Sequence, residues 1–416
     1  MTIFKPFRGL RPPKEIVEEV ACLPYDVMNT EEAKRMSQGK EKTLLRITHA
    51  ETECSGVTDI HSEEVYNKAL KNFETFQDNG WLVRDEQPNF YIYAQTMNGR
   101  TQYGLVGGAA CSDYDKGIIK KHELTRPDKE EDRMMLTLYL NANIEPVFFA
   151  YKAVKDIDDI VAGIVQGNEP DYDFVAEDGF GHHFWVVDDP DIINDIEKLF
   201  ADRVPCTYVA DGHHRTAAAA RAGLKKKMEN PSHTGDEAYN YFMAVLFPDN
   251  QLQIIDYNRV VTDLNGLTDE EFLSALNKGF DVVQLGGDVY KPDQLHEFSM
   301  YLSGCWYKLT ARKETYNDED PVGCLDVTIL SEQILGPVLD ITDLRTSRRI
   351  DFVGGIRGPE DLKKRVDSGE MKAAFAIYPV SIGQLIRIAD SGNIMPPKTT
   401  WFEPKLRSGL VINKLD

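Results

Sequence analysis

Asp211, Gly212, His213, His214 and Arg215 follow one another where an apolar run, Tyr208 to Ala210, gives way to an alanine-rich stretch. A carboxylate, two imidazoles and a guanidinium within five residues could grip an anion, move a proton or hold a divalent cation. The pattern reads as strand, glycine, helix. The first N–H groups of a helix have no internal partners and point outward with a favourable dipole, which suits phosphate. Gly212 would let a phosphate approach the backbone, and Arg215 could fork onto phosphate or carboxylate oxygens. Asp211 could accept a substrate hydroxyl proton or hold Mg2+. One of His213 and His214 could serve as general acid or base, the other as scaffold or phosphate contact. The structural alternative is that Asp211 caps the helix and the histidines make fixed hydrogen bonds.

Two further segments could join this turn. In Lys120–Lys129 a basic strip, a His–Glu pair and a helix start coincide within an acidic chain. His122 and Glu123 are candidates for acid/base work there, and Arg126 and Lys129 for binding phosphate oxygens. The alternative is a solvated, charge-balanced helix start. In Met395–Gly409 prolines stiffen a loop in which Lys398, Thr399, Thr400 and Lys405 could ring an anion, and Trp401 and Phe402 could stack on a base or pack inward; a simple turn is the other reading. Asp26, within Leu23-Pro24-Tyr25-Asp26-Val27, adds one more carboxylate for substrate binding. The pair His182-His183 reads as structural. No Walker-type, strand-placed G-x-G-x-x-G, H-E-x-x-H or G-x-S-x-G pattern occurs, so any nucleotide would need an unusual cradle.

The chain that must position these residues has 416 of them, more than one hydrophobic core usually organises, and two lobes are expected. A division into 1–260, carrying the Asp-Gly-His-His-Arg turn, and 261–416, whose C-terminal loop returns toward the site, is the reading adopted. Its formal charge of −21 argues against binding nucleic acid, although a local basic pocket could hold a small anion. Six scattered cysteines without a C-x-x-C pair argue against a cysteine-based metal site and for buried thiols in a reducing compartment. The first residues lack the apolar core of a signal peptide, and no apolar run approaches a membrane span, so a cytoplasmic protein without membrane contact is expected. A homo-oligomer is left open.

Helices and strands mix throughout. The spacing of Val65, Ala69, Leu70, Phe73 and Phe76 predicts a helix closed by Asn79-Gly80, and Asn98-Gly99 predicts a tight hairpin between Phe90–Thr96 and Gln102–Gly107. Thr43 to Ile47 reads as a strand. Thr125-Arg126-Pro127-Asp128 reads as a capping box opening a helix to Leu140. Strands are expected at Pro146–Ala150, His183–Val187 and Val204–Ala210, then a helix from Gly212 to Lys227. A second hairpin is expected between Tyr241–Phe247 and Leu252–Tyr257. Thr268…Glu271 predicts a capped helix. Residues 292–303 read as helix, Trp306–Ala311 as strand and 326–338 as helix, with strands at Ile350–Val353 and Ala373–Tyr378 and helices at Pro359–Asp367 and Ser381–Ala389. The fold class is therefore α+β, with mixed sheets and antiparallel hairpins flanked by helices, rather than a doubly wound parallel sheet.

In order along the chain, Phe7-Arg8-Gly9-Leu10-Arg11-Pro12, Leu23–Val27, Lys121–Pro127, Ala210–Arg215 and Pro396–Thr400 through Pro404-Lys405 resemble the bacterial domain-of-unknown-function 1015 family from end to end. The Asp-Gly-His-His-Arg segment is also similar to the nucleotide-binding segment of the ParB/sulfiredoxin-like superfamily, which includes free serine kinases. The resemblance implies a ParB/sulfiredoxin-like portion, ADP or ATP with Mg2+ as cofactors, and phosphate-facing roles for Asp211, His213, His214 and Arg215. By analogy with the glutamate of the serine kinases, Glu123 becomes the candidate base. Genes of the family tend to lie beside those for phosphoserine aminotransferase and phosphoglycerate dehydrogenase, which implies a place in serine biosynthesis. Three functions follow as expectations. The first is phosphoryl transfer, kinase-like or phosphatase-like, on L-serine or O-phosphoserine; the second is a non-catalytic nucleotide- or amino-acid-binding regulator. The third, which the charge disfavours, is a ParB-like nucleic-acid-associated protein.

Overall fold

A computed structural model describes residues 1–416. The chain divides into two units, Met1–Leu252 with Pro404–Asp416, and Gln253–Glu403. The division thus falls at Leu252 rather than at residue 260, and the last segment groups with the first unit. The architecture is mixed α+β.

Unit 1 is built on a nine-stranded mixed sheet. Its middle is the hairpin Phe90–Met97 and Arg100–Ala110, closed where the sequence predicts, with Asn98 and Gly99 both at positive φ (52° and 77°) as a two-residue turn between twisted strands requires. Tyr241–Pro248 runs antiparallel to Arg100–Ala110 and parallel to Val147–Tyr151. Thr207–Asp211 pairs antiparallel with Val147–Tyr151 and parallel with Ile119–Lys120. On the other side come Gly181–Val187 and Tyr172–Val175, and the ninth strand, Phe4–Lys5, pairs antiparallel with the end of Arg100–Ala110. Apolar side chains from these strands and from the helices Lys155–Gly167 and Pro190–Arg203 form one core, including Phe90, Phe149, Ile157, Ile196, Phe200 and Phe242. A second core gathers the helix Glu63–Asp78 around Phe73 and Phe76 with Leu44, Leu45, Leu140 and Ile412. A small four-stranded sheet ties Gly9–Arg11 and Val83–Arg84 to Ile412–Lys414 and Ala142–Asn143.

Unit 2 has a six-stranded antiparallel sheet in the order Phe280–Gly286, Cys305–Ala311, Glu297–Leu302, Ala373–Ile377, Tyr257–Val261, Ile350–Gly354. The helix Asp269–Leu276 starts with the expected Thr268–Glu271 capping box, and Ile382–Asp390 starts with Ser381 and Gln384 in the same arrangement.

Four local expectations are overturned. Residues 43–47 are not a strand: Leu45–Thr48 is a short helix that buries Leu45 and Ile47. Residues 292–303 are not a helix: Glu297–Leu302 is an interior strand, buried at every position, so its sequence carries no period-two signal. The second hairpin does not form, because both edges of Tyr241–Pro248 are already paired. Ile254–Ile255 pairs instead with Trp401–Phe402. Arg126, not Thr125, is the N-cap of Pro127–Leu140; no side-chain cap forms, and the Thr125 hydroxyl bonds the Glu130 carboxylate.

Gly107 in the central hairpin has no room for a side chain: a Cβ there would lie 2.5 Å from Phe4 Cζ and 2.8 Å from Phe90 Cε1. We expect Gly107→Ala to destabilise the protein by about 1–3 kcal/mol through overpacking, read from the shift in urea midpoint at unchanged m-value.

Candidate functional site

Strand register brings the first two chemistry-bearing segments together. Thr207 lies opposite Ile119 and Tyr208 opposite Lys120 in a parallel pair, so the chains leave the sheet at the same end. One continues into His122 and Glu123, the other into Asp211–Arg215. A register shift between Val209 and Asp211 then re-aims Asp211. Gly212 follows in the left-handed conformation (φ 87°, ψ 36°) and caps the helix His213–Glu229, with no side-chain cap. A Cβ at Gly212 would sit 3.2 Å from the Arg215 guanidinium carbon as well as in a strained backbone conformation, so both constraints select glycine. The helix is alanine-rich because it packs closely on Pro127–Leu140, through Ala218 and Ala222 against Met134.

At the helix start, His213 Nδ1 lies 3.8 Å from Glu123 Oε2, and its ring meets the His122 ring edge-on with centroids 4.5 Å apart. His122 is 1% exposed and neither of its ring nitrogens has a partner; Nε2 of His213 is likewise unpaired. Burial pushes the His122 pKa down to about 4, against the pull of Asp211. Burial, with His122 beside it, holds His213 well below the usual imidazole value. His214 is also pushed down, by burial and then by Lys129, and its Nε2 accepts the Arg126 backbone N–H at 3.0 Å. That bond assigns its proton to Nδ1. All three histidines are neutral imidazoles at pH 7.

Asp211 accepts the Gly212 N–H at 3.0 Å on Oδ1 and the Lys405 ammonium at 3.1 Å on Oδ2. Burial opposes its ionisation, but Lys405 and Arg215 outweigh that and hold the carboxyl well below the usual range. Arg215 is turned inward. Its Nη1 donates to the Pro146 carbonyl, Nη2 lies 3.6 Å from Asp26 Oδ2, and Nε has no partner. Burial works against its charge, while Asp26, Glu145 and Asp211 retain it. The Arg126 guanidinium lies in solvent on Asp128, at 2.6 Å.

Two residues that sequence reasoning missed complete the buried network. Glu145 accepts the Tyr25 N–H at 2.9 Å, and Arg133 lies 3.7 Å from Glu145, 2.6 Å from Asp132 and 4.2 Å over the Tyr25 ring. Glu145 stands alone between Ile144 and Pro146 in sequence, whereas Arg133 ends the charged run that starts at Asp128, so neither carries a local signal of the pairing.

Of the expected site residues, unit 1 therefore gathers His122, Glu123, Asp211, Gly212, His213, His214, Arg215, Asp26 and Lys405, with Lys129 bearing on His214. Lys398, Thr399 and Thr400 belong to unit 2. There the Lys398 ammonium lies 5.7 Å over the Tyr257 ring, its carbonyl accepts Arg259 Nη2 at 2.9 Å, and the Thr399 hydroxyl donates to the Pro396 carbonyl at 2.7 Å. Each Asp211 carboxylate oxygen already takes one hydrogen bond, from the Gly212 N–H and the Lys405 ammonium. No group of three or more His, Cys, Asp or Glu side chains is placed to hold a metal. All six cysteines are free thiols, and no helix is long and apolar enough to cross a membrane.

The family described as "Protein of unknown function (DUF1015)" matches residues 4–328. No curated protein matches the chain. Among solved structures, a free serine kinase variant in complex with AMP is similar at 12% identity and a TM-score of 0.37, covering 74% of this chain and 91% of that one. SbnI with a C-terminal truncation, from Staphylococcus aureus, has 10% identity and a TM-score of 0.39, covering 73% and 85%. A conserved hypothetical protein from Pyrococcus furiosus has 13% identity and a TM-score of 0.34, covering 74% and 95%.

The buried histidines make an acid-sensitivity prediction. A histidine whose folded pKa is depressed binds fewer protons folded than unfolded, so its stabilisation is complete above the unfolded value near 6.5 and is lost as pH falls below it. For His122 the window runs from about 6.5 down to about 4, a loss of about 3 kcal/mol. His122→Phe keeps a ring against His213 and should flatten part of the fall in Tm over that window; parallel curves for the two proteins would show that His122 is not the group responsible.

Proposed function

The chain belongs to the DUF1015 family, and on that premise we propose that it is a phosphoryl-transfer enzyme acting on L-serine or O-phosphoserine, with ADP or ATP as the nucleotide. The observation that carries the reading is the Glu123 carboxylate, only partly buried, 3.8 Å from His213 at a helix start that has no side-chain cap. A phosphate group would lie against the free N–H groups of that start, and the Lys405 ammonium, held beside Asp211, adds positive charge to the same corner. In the kinase direction Glu123 takes the serine hydroxyl proton as the hydroxyl oxygen bonds to the terminal phosphorus. The bond from that phosphorus to the bridging oxygen breaks, and the shortened nucleotide leaves with the electron pair. In the hydrolytic direction water replaces the serine hydroxyl as attacking group and serine is the leaving alcohol. The neutral histidines act by hydrogen bonding and shape. Arg215 acts from below, fixing the turn rather than touching the phosphate. No step is assigned to Mg2+. The choice of serine rests on the sequence resemblance of Asp211–Arg215, and the DUF1015 description itself assigns no activity.

One observation favours a second reading, a nucleotide- or amino-acid-binding regulator without turnover. Asp211 and Arg215 are already paired within the protein, an arrangement suited to holding a ligand without moving a proton.

The two readings separate at Glu123. With purified protein, 31P NMR should show phosphoserine formed from serine and nucleotide, or phosphate released from phosphoserine, with and without added Mg2+. Glu123→Gln should lower turnover by about a hundredfold or more with little change in KM. Ligand binding without any product, equal in wild type and Glu123→Gln, establishes the regulator and removes the enzyme.

A further inference from the structure

Unit 1 has a second cleft, of about 960 Å³, whose lining does not include the Asp211 turn. Its walls come from the segments 15–23, 36–45 and 174–178, and its size lies within the range of small-molecule sites. Arg407 lines it and is 7% exposed. The guanidinium is fixed by two partners: Nη2 bonds Asp178, which also lines the cleft, and Nε donates at 3.3 Å to His182 Nε2. His182 can accept there because burial, then Arg407 itself, pushes its pKa down to about 3; its Nδ1 proton goes to the Tyr93 hydroxyl at 2.8 Å. The Arg407 backbone N–H is also fixed, on Tyr93 at 3.1 Å. Nη1 has no hydrogen-bond partner, so a buried and rigidly mounted cation keeps one donor unused.

The remainder of the cleft is of two kinds. Cys22, Leu23, Leu45 and Phe174 supply apolar wall. The rim is acidic: six carboxylates line the cleft against three basic side chains. Lys40 is paired with Glu177 at 2.9 Å and Lys42 with Glu19 at 3.1 Å, while Glu15, Glu18 and Glu41 have no ion pair. The net field therefore favours a cation, whereas the one unused donor at the buried end calls for an anionic or carbonyl oxygen. A ligand meeting both demands carries a carboxylate at one end, an apolar stem, and a positive charge at the other.

We propose that this cleft binds a basic amino acid, free or as the C-terminal residue of a peptide, with its carboxylate on Arg407 Nη1 and its cationic end among Glu15, Glu18 and Glu41. The site is separate from the phosphoryl-transfer reading and stands whether or not that reading holds. It is joined to the Asp211 turn by one short piece of chain: Lys405, on Asp211, is two residues from Arg407, and the Lys405 carbonyl is held by Gln95 Nε2 at 3.0 Å.

Calorimetric titration of the full-length protein tests it with L-lysine, with cadaverine, which lacks the carboxylate, with L-norleucine, which lacks the distal ammonium, and with a glycyl-glycyl-lysine peptide. L-lysine or the peptide should bind saturably, and whichever binds more tightly identifies the source of the carboxylate. Cadaverine and norleucine should each be weaker by roughly tenfold or more. Arg407→Met should remove binding, and Glu15→Gln with Glu18→Gln should weaken it about threefold and reduce its salt dependence. If Arg407→Met fails to fold, the exposed rim pair decides alone. Overturning results are no saturable binding of L-lysine or the peptide up to about 10 mM, cadaverine or norleucine binding as well as lysine, or an affinity unchanged in the rim variant.

Discussion

A guanidinium withdrawn from water is costly unless negative charge is built around it, and that requirement at Arg215 organises the surroundings of the Asp211 turn. Asp26 comes from the N-terminal region, Glu145 and the Pro146 carbonyl from the approach to a sheet strand, and Asp211 from the preceding turn of chain. Asp211 in turn draws Lys405 from the far end of the sequence. Taking one member out of such a buried set leaves an uncompensated charge, at a cost of about 3–5 kcal/mol. The left-handed glycine is part of the same constraint, since the guanidinium occupies the space its side chain would need. What looks in sequence like a row of ligand-binding groups thus includes two, Asp211 and Arg215, whose charges are already met within the protein.

The same cations decide the state of the histidines. With Lys405 and Arg215 beside Asp211, and with almost no solvent, a charged imidazole at position 122 has little to stabilise it beyond a carboxylate already shared, and at position 213 burial and the neighbouring His122 outweigh the pull of Asp211. Neutral imidazoles donate and accept one hydrogen bond each, and they shape a pocket without adding charge. In the phosphoryl-transfer reading the proton is therefore given to Glu123, a carboxylate of the cluster that is partly open to solvent.

Much of this architecture is legible where a local rule is strong. Asn98-Gly99 dictates a hairpin, Thr268 with Glu271 a helix start, and apolar strand–Gly–polar helix the turn at 211. Legibility fails where local rules are silent. Glu297–Leu302 and Leu45–Thr48 are short apolar runs buried throughout, and burial erases the alternation that separates strand from helix. The meeting of Glu123 with His213 depends on a parallel register between strands some ninety residues apart, and nothing within either segment encodes it. Arg133 and Glu145 are unreadable for the same reason. The loop 395–409 shows the opposite failure: one continuous motif by sequence, it is divided between the two units, Lys405 going to Asp211 and Lys398 to Tyr257.

That division has a bearing on how the protein is made. Residues 404–416 supply Ile412–Lys414, which bridges Gly9–Arg11 and Ala142–Asn143, as well as Lys405. During synthesis the first 252 residues emerge well before them, and all of unit 2 is translated in between. Until the C-terminal segment leaves the ribosome, Asp211 has no ammonium partner and the small sheet lacks its bridging strand. The nascent chain must wait with this corner unfinished. A product stopped anywhere within unit 2 would carry the whole Asp-Gly-His-His-Arg turn and still lack the counter-charge that sets it, so ribosomes that terminate early release a protein marked by its own incompleteness.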